Sequence, residues 1–296
     1  ENEGGAILIM NAQSGEILTM SSHPYFDAAY LEEEWSSLVE DPGAPLLNRA
    51  AQGLYPAGPA LLPFLTASNI TVVLENPNPE DLITRSPLTQ SCALPLNGES
   101  TWNALVTNGC QETLSDLSSL MDAPTITATF EALGFYTEPK LNLEVAKANS
   151  APDTIDPKTA VETTQISPLQ AAIAASTLSN QGTRPSSRIV NAYQNPEGEW
   201  IILPKFESAV QVLPANQAVA TTEVLEIPKA AFWSVTAHTP TGEGEMVTWF
   251  IGGTTDNWQG QPLVVVVLLE KDAPLEARNI GQALLEETLN ITAVIK

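Results

Sequence analysis

Side chains able to do chemistry are few in this chain. There are two cysteines, Cys92 and Cys110, and two histidines, His23 and His238. No Cys-x-x-Cys pair occurs and neither histidine is near a cysteine in sequence, so no recognised metal-ligand spacing is present and no cofactor is expected. Cys110 has no Lys, Arg or His close by that would stabilise a thiolate. His238 stands alone in a strand pattern, where a histidine is as a rule a satisfied structural residue rather than a base. Glu32-Glu33-Glu34 reads as a solvated helix face, not a metal cluster. The two cysteines either close a loop as a disulfide, worth about 3 kcal/mol by the chain-entropy argument, or stay as two buried thiols. Trp200 and Trp258 lie beside turns and either mark a contact surface or pack on their own hairpins.

Composition narrows what such residues could serve. Of 296 residues, 43% are hydrophobic and 16% charged, enough apolar material for a real core and incompatible with disorder of the whole chain. The formal charge is −23. A surface this acidic repels nucleic-acid phosphates and anionic lipid, and it disfavours polyanionic substrates. No stretch approaches the roughly 20 apolar residues of a membrane span. The longest candidate, Leu263 to Leu269, is of strand length. The chain opens on Glu1-Asn2-Glu3 and runs directly into a strand pattern without a leader peptide, as expected of the soluble part of a longer protein.

The elements that must position any site follow from periodicity and turn chemistry. Ala6–Met10 and Glu16–Met20 read as a hairpin around Asn11-Ala12-Gln13-Ser14-Gly15. Residues 21–58 are rich in turn formers. A helix is predicted from Pro59 to about Val73, with Pro59 at a position where a missing N–H does no harm. After a proline-rich loop over 74–100, Trp102 to Gly134 reads as two helices divided at Pro124 and closed by Gly134. Residues 137–165 are irregular. Ser167-Pro168-Leu169-Gln170 opens a strong helix, with Ser at the N-cap and Gln three residues on, that runs to Ser179 and stops at Asn180-Gln181-Gly182. A second hairpin is expected at Ile189–Tyr193 and Trp200–Leu203, then a helix over Asn216–Glu226. Strands follow at Ala231–Thr236, Met246–Gly252 and Pro262–Leu269, and a helix runs from Pro274 to about Leu289. Strands at both ends and helices between them predict an α+β fold. One antiparallel sheet, built from the N-terminal hairpin and the C-terminal strands, is covered by helices, and a helical subdomain is inserted between the two halves.

Several of these segments, in order, resemble penicillin-binding-protein transpeptidase domains. Gly5-Ala6-Ile7-Leu8-Ile9-Met10-Asn11-Ala12-Gln13-Ser14-Gly15-Glu16-Ile17-Leu18-Thr19-Met20 is similar to the opening hairpin of that family. The run from Pro45 through Asn48-Arg49-Ala50 to Tyr55-Pro56-Ala57-Gly58 resembles the approach to its active-site helix. Ile166-Ser167-Pro168-Leu169-Gln170-Ala171, Asn180-Gln181-Gly182-Thr183 and Trp249-Phe250-Ile251-Gly252 match further family segments. The resemblance implies a β-lactamase/transpeptidase-like fold over residues 1–296. Its sheet lobe would cover about 1–55 and 183–296, and its helical lobe about 56–182.

It also implies where chemistry would sit. The family acylates a serine, with a peptide ending in D-Ala-D-Ala or with a β-lactam, through Ser-x-x-Lys, Ser-x-Asn and Lys-Thr-Gly motifs. A lysine one turn after the serine shares its helix face and can act as base. Carried over, the nucleophile position is Pro59 and the lysine position Leu62, so hydroxyl and base are both missing. The second motif falls on Asn108-Gly109-Cys110. The third falls on Val235-Thr236-Ala237, with valine for the lysine and alanine for the glycine. Independently of alignment, none of Lys140, Lys147, Lys158, Lys205, Lys229, Lys271 and Lys296 has a serine three residues before it. An unpaired lysine in a closed cleft is costly, whereas a buried apolar residue contributes about 1.5–3 kcal/mol. Leu61, Leu62 and Val235 are therefore expected to fill a dry remnant of an active site.

The resemblance further implies a disulfide between Cys92 and Cys110. It implies an extracytoplasmic place, with a membrane anchor in a segment outside this chain, and partners among cell-wall synthesis proteins. The reading that follows is a non-catalytic scaffold or partner-binding domain in peptidoglycan synthesis. The alternatives are a transpeptidase or carboxypeptidase of altered chemistry, acting through Thr236, Cys110 or another serine, and a reversible sensor of cell-wall fragments.

Overall fold

A computed structural model of the chain describes residues 3–79, 92, 101–242 and 244–294. Its strands, in chain order, are β1 (Gly5–Asn11), β2 (Ile17–His23), β3 (Tyr55–Pro56), β4 (Gln165–Ile166), β5 (Thr183–Arg184), β6 (Ala192–Gln194), β7 (Trp200–Ile202), β8 (Val210–Gln211), β9 (Phe232–Pro240), β10 (Met246–Thr254) and β11 (Leu263–Leu269). One five-stranded sheet has the order β2-β1-β11-β10-β9, and every neighbouring pair in it is antiparallel. The N-terminal hairpin and the C-terminal strands thus share a sheet, with β9 at the edge. The architecture is α+β.

Each face of that sheet carries its own core, because side chains alternate along a strand. Leu8, Met10, Trp233, Val235, Trp249, Ile251, Val264 and Val266 point to the larger core, which the helical part of the chain completes. Ile9, Phe232, Phe250, Val265 and Val267 point the other way, onto Ala277 and Leu285 of the helix Pro274–Val294. The helix Pro168–Ser179 lies on the larger-core side and is buried from Pro168 to Leu178. Its start is a complete capping box: Ser167 Oγ accepts from Gln170 N at 3.1 Å, and Gln170 Oε1 accepts from Ser167 N at 2.9 Å. The Gln170 amide, fully inside, donates to the carbonyls of Gly134, Phe135 and Thr137, so its burial leaves no donor unmet.

Four expectations about elements need correction. The helix predicted over 59–73 is a 3-10 turn at Gly58–Leu61, a helix at Leu62–Ser68 and a separate helix at Ile70–Glu75. Pro63 has no N–H to return to Pro59, so the first turn closes through Leu62 N to the Pro59 carbonyl instead. Trp102–Gly134 holds three helices, at Trp102–Thr107, Gln111–Ser119 and Ala123–Leu133, because the chain also breaks at Gly109. The hairpin near 189–203 does not join the main sheet; β6 and β7 form a separate two-stranded ribbon. Turn-rich residues 21–58 also contain a surface helix, Leu31–Glu40, with Glu32, Glu33 and Glu34 in its solvated first turn.

The segment leading to the site is fixed to the sheet by one buried cation. Arg49, only 5% exposed, donates from Nε to Glu270 Oε1 at 2.9 Å and from its other nitrogens to the carbonyls of Ala44 and Gly43. Tyr55 donates its hydroxyl to the same Glu270 oxygen at 2.7 Å. Burial, then the hydrogen bond and charge of Glu270, push the Tyr55 phenol far above its ordinary pKa.

Two outcomes follow for this anchor. Glu270→Ala leaves Arg49 without its counter-charge and should lower stability by about 2–3 kcal/mol, read as a shift in the urea midpoint. The loss is smaller than for a fully buried pair because Glu270 keeps some solvent contact. With a folded-state pKa raised above the unfolded value of about 10, Tyr55 contributes stability that is complete below pH about 10 and declines as the unfolded chain ionises above it. Tyr55→Phe should therefore show a shallower loss of stability between pH about 9 and about 11 than the parent chain.

Candidate functional site

The site is assembled where three separate segments meet the edge strand β9. The first arrives through β3, which pairs with β4, and through Ala57 N donating to the Thr164 carbonyl. Trp249 of β10 donates its indole N–H to the Pro56 carbonyl at 2.9 Å, and the Tyr55 ring meets the Trp249 ring edge-on at 6.2 Å. The chain then turns at Gly58, whose φ is +48°; a Cβ there would stand 2.3 Å from Thr239 Oγ1 of β9. Only glycine permits both the backbone conformation and that approach.

The second segment is Asn108-Gly109-Cys110, the link between two helices. Gly109 has φ +61°, and a Cβ would lie 2.4 Å from the Thr236 carbonyl oxygen and 2.9 Å from Ala237. Asn108 is pinned on both ends of its amide: Nδ2 donates to the Cys92 carbonyl at 3.0 Å and Oδ1 accepts from Arg278 Nη2 at 2.9 Å. Cys110 is bonded to Cys92, with their Cα atoms 5.8 Å apart.

The third segment was not legible as a contributor. Arg278, in the helix behind the sheet, reaches the edge of β9 and donates from Nε to Thr236 Oγ1 at 3.2 Å while also holding Asn108. Burial pulls its pKa below the usual guanidinium value. It joins the second- and third-motif positions through neutral acceptors. No local pattern around Arg278 announces this, since the partners are some 42 and 170 residues away in the chain.

Between these segments lies an open groove of about 970 Å³. Pro56, Gly58, Leu114 and Met246 give it apolar wall, and Asn108, Gln111, Gln165 and Thr239 give it polar wall. Its ionisable lining residues are Glu112, Glu162 and His238; His238 Nδ1 is 2.9 Å from Asp272 Oδ1, and Glu162 is 3.7 Å from Lys158. Among the described lining residues there is no serine, lysine or arginine.

The structure brings Pro59, Leu62, Asn108, Cys110, Val235, Thr236 and Ala237 into one region, but few of them face the groove. Pro59, Leu62 and Val235 are buried and belong to the interior. The Thr236 hydroxyl is turned to Arg278, and the Cys110 sulfur is spent in the disulfide. The expectation of a filled remnant needs a qualification: Leu61, Leu62 and Val235 are buried, yet the groove beside them stays open.

An antiparallel sheet clasped at its edge by a helical insertion defines the class to which the chain belongs. The family model of the penicillin binding protein transpeptidase domain matches residues 5–289, and the chain is a member of that family. Among curated relatives it is 24% identical over 247 residues to the peptidoglycan D,D-transpeptidase PbpA of Mycolicibacterium smegmatis, covering 75% of this chain and 50% of that one. It is 30% identical over 71 residues to the peptidoglycan D,D-transpeptidase MrdA of Escherichia coli, covering 22% of this chain and 11% of that one. The chain thus spans half or less of the length of these relatives. Among solved structures, the D,D-transpeptidase domain of a peptidoglycan glycosyltransferase from Eggerthella lenta superposes with a TM-score of 0.77 at 21% identity, covering 99% of this chain and 78% of that one. PBPA from Mycobacterium tuberculosis, as an imipenem acyl-enzyme complex, gives 0.71 at 21% identity, with 95% and 73% covered. These likenesses establish the fold.

Two substitutions test the packing of the site. Gly109→Ala forces a side chain into the left-handed region against β9 and should lower stability by about 1–3 kcal/mol. Leu62→Lys places an ammonium in a fully buried position with no acidic partner and should cost about 3 kcal/mol or more. Both are read from urea midpoints. A neutral result for Leu62→Lys would mean that the position opens to the groove.

Proposed function

We propose that this is a non-catalytic transpeptidase-fold domain that serves as a scaffold or partner-binding module in peptidoglycan synthesis. One observation carries the reading. The position read from the resemblance as the nucleophile's is Pro59, buried and without a hydroxyl, and the described lining of the neighbouring groove offers no serine, lysine or arginine. Acylation of a serine needs a nucleophile, a base beside it and a positive group for the substrate carboxylate. In their place stand a proline, a buried leucine, a buried valine and two groove carboxylates.

The altered-chemistry alternatives find less support. A disulfide-bonded Cys110 has no thiolate to offer, and the Thr236 hydroxyl lies on the side of β9 that meets Arg278. Family membership and the disulfide support an extracytoplasmic, oxidising location. Among the described residues no helix is long and apolar enough to cross a membrane, so anchoring would come from a segment outside this chain. Proteins of the cell-wall synthesis machinery are the proposed partners. The open groove supports a second reading, reversible binding of cell-wall fragments without bond formation.

Incubation with a fluorescent penicillin should leave no labelled band and an unchanged intact mass. A stoichiometric acyl adduct would overturn the proposal. Titration calorimetry with soluble cell-wall fragments separates the two readings: heat that saturates at millimolar ligand or below favours the sensor, and its absence ends that reading.

A further inference from the structure

The ribbon β6–β7 is built against the usual distribution of residues. Its register pairs Ala192 with Ile202, Tyr193 with Ile201 and Gln194 with Trp200. Alternation therefore places Trp200 and Ile202 on one face with Gln194, and Tyr193 with Ile201 on the other. Trp200 is 69% and Ile202 79% exposed, and neither strand has a buried residue. Ile189, Val190 and Phe206, on either side of the ribbon, are exposed as well. Scattered surface hydrophobics are ordinary, but a contiguous set within one short segment marks an interaction site.

The patch is held by rigid structure. Ile17 N donates to the Arg188 carbonyl and Arg188 N to the Gly15 carbonyl, both at 2.9 Å, which ties the base of the ribbon to the main sheet. At the same place β2 carries a bulge: Met10 pairs with Ile17 and Ile9 with Thr19, so Leu18 is the extra residue and is exposed. Past the tie both chains continue with apolar residues facing solvent, Leu18 on one and Ile189 and Val190 on the other.

We propose that this ribbon is the surface through which the domain docks a protein partner whose contacting face is apolar and flanked by lysine or arginine. The inference rests on the partner-binding reading above and names its surface. Charge selects the occupant. The tip of the ribbon is Asn195-Pro196-Glu197-Gly198-Glu199, which carries two carboxylates, that of Glu199 next to Trp200 in the chain. A hairpin made to enter lipid would carry its apolar residues at the tip, and a chain of charge −23 is repelled by anionic membrane. Two copies would bring like-charged surfaces together. A basic rim around an apolar centre complements both features, with Trp200 and Ile202 as the buried anchors.

The test places a photo-crosslinking amino acid at Gln194 in the whole protein, in the bacterium that makes it. One cell-envelope protein should be captured. The purified pair should bind, lose at least about tenfold in affinity in the Trp200→Ser, Ile202→Ser double variant, and weaken several-fold in about 1 M salt, where the screening length is about 3 Å. The double variant should keep its urea midpoint to within about 0.5 kcal/mol, because these side chains are mostly exposed in the isolated chain. Absence of an adduct, or a captured protein whose affinity the double variant leaves unchanged, overturns the proposal. So does sedimentation showing a dimer that the variant dissolves, or flotation with phosphatidylglycerol–phosphatidylethanolamine vesicles that it abolishes. Acylation by penicillin would defeat the non-catalytic reading without touching this readout, so the two can fail separately.

Discussion

Everything near the groove depends on how closely two glycines let the helical part of the chain approach β9. Gly58 abuts Thr239 and Gly109 abuts Thr236 and Ala237, each where a Cβ would fall within 3 Å of the strand. Both glycines have positive φ, so the same residues that allow the approach also turn the chain there. Trp249 reaches Pro56 from the second strand, and Arg278 reaches Asn108 and Thr236 from behind the sheet. The edge of the sheet is thereby clasped from both faces. That clasp does not require a nucleophile. It rests on backbone approach and turn geometry, whatever side chains line the groove.

The buried positions beside the groove follow the electrostatics of a closed interior. A cation without a partner is expensive to bury, and an apolar side chain in the same space is favourable. Leucine and valine occupy such positions at 62 and 235. Two inward-reaching cations, Arg49 and Arg278, are matched. Arg49 has Glu270 and two carbonyls, while Arg278 has two neutral acceptors and some solvent. The groove has instead kept carboxylates, and the chain as a whole is strongly acidic. An anionic ligand would meet like charge in the groove and over the whole chain, which agrees with the proposed docking of a basic protein partner at the exposed apolar ribbon.

Much of the fold could be read from local signals. The opening hairpin, the Ser167-Pro168-Leu169-Gln170 helix start, the end of a helix at Gly134 and the final helix all appear where turn chemistry and periodicity put them. Other features resisted because their causes are not local. Gly109 reads as a tolerated helix residue until the strand it backs against is known. The 189–203 hairpin reads like any sheet strand pair, and only its failure to find a neighbour makes it a separate ribbon. Arg278 lies in an ordinary amphipathic helix, and its role comes from partners far along the chain.

By itself the sequence determined which reactive groups the chain carries. No serine precedes a lysine by three residues, and residue 59 is a proline, facts that no folding can alter because they concern which atoms exist. It also placed most of the long strands and helices, since period and capping act over a few residues. The tertiary structure decided everything that depends on distance between remote segments: that the groove remains open, that the Thr236 hydroxyl turns from it, that Arg278 closes the junction, and that Trp200 and Ile202 face water. Burial and direction are properties of packing between segments, and packing is settled only when the whole chain has folded.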